Sequence, residues 1–269
     1  MTRGRAGTAK AGTARQSRAG VATPVRRRSS PAQSAAPAAR IGGLDALRGL
    51  AIVAMIAYHF CFDLRYFGIT HWDFEHDLRW LTTRTLILSS FLLIAGISAV
   101  LANRQPSPFT HWLRHAGIIA GAALLVSAGS WLMFPRSFIW FGVLHAIALS
   151  LLLARPLLRR PALAAVVGFV VIAAGVAFAN PAFDNRLLGW IGFMTAKPVT
   201  EDYVPLFPWL GVLLLGVAAG HVLVLTRFAA LAPFASGPAA VRFLGRHSLV
   251  VYLVHQPLMI ALLALAVGR

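Results

Sequence analysis

The run LDALRGLAIVAMIAYHFCFDL, positions 44–64, is nearly all apolar from Leu47 onward, yet that stretch holds three residues that carry chemistry: Arg48, His59 and Asp63. The stretch is about as long as a bilayer-crossing helix, and ionisable side chains at that depth are costly enough to mark function. Arg48 and His59 lie close to three helical turns apart, so they share a face at a separation of roughly 16 Å. Ile52, Met55 and Asp63 fall on the same stripe. His59 and Asp63 are i, i+4 neighbours, a spacing that lets a carboxylate orient an imidazole as a general base. The same pair could equally make a helix-packing hydrogen bond. Arg48 reads either as a clamp for phosphate or carboxylate or as a snorkelling anchor at the membrane surface.

The elements needed to position these groups follow from composition. Hydrophobic residues make up 58% of the 269 and charged residues 12%, which excludes an ordinary soluble domain. Residues 1–40 are basic, acid-free and poor in large apolar side chains, a composition that predicts a disordered tail. The remainder, 41–269, reads as an all-α polytopic transmembrane helix bundle of about seven spans. These are expected over 44–64, 85–102, 116–134, 138–154, 162–179, 206–225 and 247–267. Placing the tail in the cytoplasm puts 18 of the 25 Lys and Arg on the inner side, so the Lys/Arg bias predicts an extracytoplasmic C-terminus. The formal charge of +17 is therefore a topology signal, and no nucleic-acid role is expected. Multi-pass insertion in the bacterial inner membrane, with the lipid bilayer as principal partner, is the expected localisation. Homo-oligomerisation is left open.

Further candidates come from the other spans and loops. His255, in LVHQPL, lies where a proline can open a helix around a His–Gln pair, or else is a buried packing histidine. His145 falls inside the fourth span, and Asp202 and Tyr203 stand just before the sixth. His71 and His76 belong to a polar loop in which solvated side chains are the plainer reading. The Trp residues near span ends, including Trp72, Trp140 and Trp209, read as an aromatic belt. No His pair has a local metal-ligand spacing and no Gly-rich phosphate loop is present, so neither metal nor haem is expected. Cys61 stands alone and reads as a small packed hydrophobe.

Five blocks in order, LDALRGLAIVAMIAYHFCFDLRYFG, FLLIAGISAVLA, FGVLHAIALSLLL, DYVPLFPWLGVLLLG and GRHSLVVYLVHQPL, resemble the bacterial branch of the heparan-alpha-glucosaminide N-acetyltransferase catalytic-domain family. The Arg48-to-His59 spacing and the closing SLVVYLVHQP are also similar to membrane-bound acyltransferase family 3. The resemblance implies an enzyme that takes an acyl group, typically acetyl from acetyl-CoA or another acyl-CoA, and delivers it to a carbohydrate acceptor across the membrane. On that resemblance Arg48 handles the acyl-CoA side, His59 the transfer, and His71 lies near a luminal catalytic histidine. The expected site is thus His59, Asp63 and His255 as catalytic groups, with Arg48, His71, His145, Asp202 and Tyr203 around the substrates. A proton-coupled transporter and a non-catalytic scaffold are the rival readings.

Overall fold

The computed structural model describes residues 41–104 and 109–268. Between them lie helices and turns, with one isolated bridge pairing Phe141 and Tyr203. The expected disordered tail lies outside the described residues. Nine α-helices follow in order among the described residues: α1 Gly42–Tyr66, α2 Leu78–Asn103, α3 Phe109–Met133, α4 Val143–Ala154, α5 Pro161–Ala177, α6 Leu206–Leu225, α7 Ala232–Ala235, α8 Ala239–Arg246 and α9 Ser248–Val267. Among the described residues, five of these (α1, α2, α3, α6 and α9) are long and apolar enough to cross a membrane. The all-helical membrane class predicted from composition is therefore observed.

Two of the seven expected spans are shorter than predicted. Only 143–154 of the apolar run 138–154 is α-helical, reaching about 18 Å. Its first residues are extended instead. There Val204 donates its N–H to the Phe141 carbonyl at 3.1 Å and Glu201 donates to Ser137 at 2.9 Å. α5 reaches about 26 Å, short of a full bilayer core. Conversely, α2 begins seven residues before the expected span, because the Asp77 carboxylate caps it by accepting the Arg79 N–H at 2.8 Å. The basic linker expected at 226–246 contains the helices α7 and α8.

α6 lies between α2 and α5 and supplies the middle of the core through Leu213, Leu214 and Val217, all at most 1% exposed. Glycines allow its approach to α2. A Cβ at Gly96 would sit 2.1 Å from the Leu213 carbonyl oxygen, and one at Gly216 would sit 2.4 Å from that of Leu93. Backbones can come this close only where side chains are missing, the usual solution for helices packed in lipid. α8 packs on the first half of α1 in the same way, through Gly49 and Gly245. α9 follows α8 and packs against α1, with His255 its one buried residue. Its opposite stripe, Val250, Val254, Leu258, Leu262 and Leu265, is exposed and suits lipid.

Candidate active site

The last turns of α1 and α3, the first half of α2, the 192–205 loop and the middle of α9 enclose a cavity of about 1310 Å³. Met55, His59 and Asp63 line it from α1, and His255 and Gln256 line it from α9. Two contacts join these helices. The rings of His59 and His255 meet edge to face with centroids 5.1 Å apart, and Gln256 Nε2 donates to Asp63 Oδ1 at 2.7 Å. Asp63 is 1% exposed, so this cross-helix bond satisfies a charge that would otherwise stand nearly dry.

This changes the pairing expected from sequence. Spacing on one helix offered Asp63 to His59, but the carboxylate takes the Gln256 amide and the His59 ring turns to His255. The local geometry also sets the state of His255. Its Nδ1 stands 2.6 Å from the Tyr252 carbonyl, an atom that can only accept, so Nδ1 carries the hydrogen. In the neutral ring Nε2 is then a lone-pair acceptor. Nε2 has no hydrogen-bond partner among the described residues, nor do Asp63 Oδ2 and Gln256 Oε1. Three buried acceptors without donors at one cavity wall make a site prepared for a donor-bearing ligand or a proton.

The other sequence candidates are distributed around this centre. Asp202 and Tyr203 line the cavity. The Asp202 carboxylate accepts the Val143 N–H at 2.8 Å, at the positive end of α4. Burial pushes its carboxyl above the usual range, and the Val143 N–H, Arg84 and Lys197 oppose that rise. The Tyr203 hydroxyl donates to the Gly189 carbonyl at 2.6 Å, and burial, with the Asp184 charge beside it, pushes its pKa up to about 12. Tyr203 therefore anchors a loop as a neutral phenol. His145 does not line the cavity. Its Nδ1 accepts from Gly142 at 3.2 Å and its Nε2 lies 3.3 Å from Ser127 Oγ, tying α4 to α3. His71 is exposed in the α1–α2 loop, away from the cavity lining.

Arg48 stands near the opposite end of α1. It donates to Asp45 Oδ1 at 3.0 Å and to Ser98 Oγ at 2.9 Å, while Arg246 reaches Asp45 Oδ2 at 3.2 Å. The buried Asp45 carboxylate thus ties α1 to the end of α8, directly before α9.

The Asp202 cap depends on a glycine. A Cβ at Gly142 would lie 2.3 Å from Asp202 Oδ2 and 2.8 Å from Ile139 Cγ2. Gly142→Ala is expected to cost about 1–3 kcal/mol by overpacking, read as a lowered thermal midpoint in detergent. An unchanged midpoint would mean that the carboxylate is free to move aside.

Sequence reasoning gave no role to Arg84 or Lys197, which both line the cavity. The available signals were a cation two turns into an apolar helix and the one lysine beyond the N-terminal tail.

The family model for the catalytic region of heparan-alpha-glucosaminide N-acetyltransferase matches residues 40–257. The chain belongs to that family. The match takes in α1 through the middle of α9 and includes every residue of the His59–Asp63–His255–Gln256 cluster. No curated protein and no solved structure matches the chain. Family membership, with five membrane-capable helices, makes this a membrane protein of acetyltransferase type.

Proposed function

We propose that this protein transfers an acetyl group from acetyl-CoA to an amine or hydroxyl of an extracytoplasmic sugar, at the wall where α1 meets α9. The observation that carries this reading is the unpartnered, buried His255 Nε2, in a ring oriented by the Tyr252 carbonyl and packed edge to face against His59. The acceptor N–H or O–H gives its proton to that nitrogen as its heteroatom bonds the thioester carbonyl carbon. The C–S bond then breaks, and the proton passes to the departing CoA sulfur. A thioester is already activated, so a positioned base with oxyanion stabilisation suffices. Asp63, held by Gln256, keeps the acceptor's remaining donors oriented.

Direction follows from the Lys and Arg distribution. With the N-terminus inside, the cavity opens on the extracytoplasmic side, where a glycan acceptor resides. Arg48 is the proposed inner-face contact for the acyl-CoA donor. His71 and His145 have no role in the transfer step.

The test is release of free CoA thiol from acetyl-CoA by detergent-purified protein, with and without glucosamine. Acceptor-dependent release with acetylated sugar in the product supports the reading. Solute flux in proteoliposomes without any thiol release would instead make the protein a transporter.

A further inference from the structure

Besides the α1–α9 wall, the cavity carries a second polar feature that the acyl-transfer step leaves unused. Arg84 from α2 and Lys197 from the loop before α6 both line it. Neither side chain has a hydrogen-bond or ion-pair partner among the described residues. The acids that face them are mostly committed elsewhere. Glu201 accepts the Ser137 hydroxyl at 2.5 Å, Asp202 accepts the Val143 N–H, and Glu75 is the third. Desolvation at the cavity wall, followed by the Arg84 charge, holds the Lys197 ammonium below its usual range, against the attraction of those three carboxylates. Two cations that repel each other across a cavity are stabilised when an anion bridges them.

We infer that Arg84 and Lys197 form an anion subsite at the cavity mouth, taking a phosphate, sulfate or carboxylate of a substrate whose reacting group lies at His59 and His255. The planar Arg84 guanidinium suits two oxygens of such a group, and Lys197 adds a point charge. Two sources share this chemistry: the phosphates of acyl-CoA, or an acidic substituent on the acceptor sugar. The identity of these ligands rests on the acyl-transfer reading, whereas the subsite does not. The choice between them also reports orientation, because the donor is cytoplasmic and the acceptor is not.

The experiment uses the full chain in detergent, wild type beside Arg84→Gln/Lys197→Gln, with calorimetry at constant ionic strength. The first probe is pyrophosphate. Binding by wild type that weakens roughly tenfold for each cation removed is the expected result. Equal affinity in the two proteins, or no binding by folded wild type, overturns the subsite. The single variants Arg84→Gln and Lys197→Gln, each expected to weaken pyrophosphate binding roughly tenfold, keep the test decisive should the double variant fold poorly.

Two further arms assign the source. Weaker binding of acetyl-CoA with acetyl-pantetheine unchanged assigns the site to the donor. Weaker binding of glucosamine 6-phosphate with glucosamine unchanged assigns it to the acceptor. If neither arm moves, the subsite does not serve these substrates and the inference is wrong. These are binding measurements, so absence of thiol release in wild type would count against acyl transfer alone.

Discussion

His255→Ala is expected to lower acetyl transfer by about 10²–10⁴-fold, the usual contribution of a positioned general base, while acetyl-CoA affinity changes by less than about threefold. The split is expected because, in the proposed reaction, His255 Nε2 takes the acceptor's proton and does not hold the body of the donor. His59→Ala is expected to cost a comparable factor, since its ring lies edge to face against His255 at 5.1 Å and fixes that side of the cavity. Residues acting as a unit are strongly non-additive, so the double variant should lie close to the worse single one. Single-turnover rates with glucosamine as acceptor make the comparison. Fully multiplicative effects would mean that the two histidines act at separate steps. An unchanged rate in His255→Ala would remove it as the base.

The second large effect concerns the bond between α1 and α9. Gln256→Leu removes the donor from the nearly dry Asp63 carboxylate and is expected to destabilise the fold by about 1.5–3 kcal/mol. Asp63→Leu leaves the Gln256 amide unpaired and should cost a similar amount. The double variant replaces both polar partners with apolar ones, so it should recover part of the loss, because unmet desolvation is the larger penalty. Unfolding in mixed micelles, read as a double-mutant cycle, measures the coupling. Simple additivity would mean that the 2.7 Å contact carries no coupling energy. The same cycle read through activity is informative, since Asp63→Leu also removes the unpartnered Oδ2 from the cavity wall.

Much of the architecture was legible in the chain itself. The sixth expected span and α6 coincide at 206–225, because a predominantly apolar run of that length bounded by Pro205 and Thr226 has few other solutions in a membrane. The run at 138–154 misled for the converse reason. Hydropathy does not distinguish a helix from an extended strip, and the pairing of Phe141 with Tyr203 spans sixty residues of chain. α8 was missed because its amphipathic pattern is only eight residues long and its glycine matters only against α1.

The site divides along the same line. Sequence by itself marked Arg48, His59, Asp63 and His255 as polar groups within apolar runs, since their cost there is a property of residue type and depth. It also determined that His59 and Asp63 share one face of α1, because helical periodicity is local. Only the tertiary structure decided that Asp63 meets Gln256, that His59 meets His255, and that Arg84 and Lys197 line the same cavity. All of these partners lie on separate segments, and the two α1–α9 contacts depend on the rotation and register of α9 against α1. Glycine contacts at the α8 crossing and the Asp45–Arg246 bond hold α8, which leads into α9, against α1, and neither leaves a signature within a single helix.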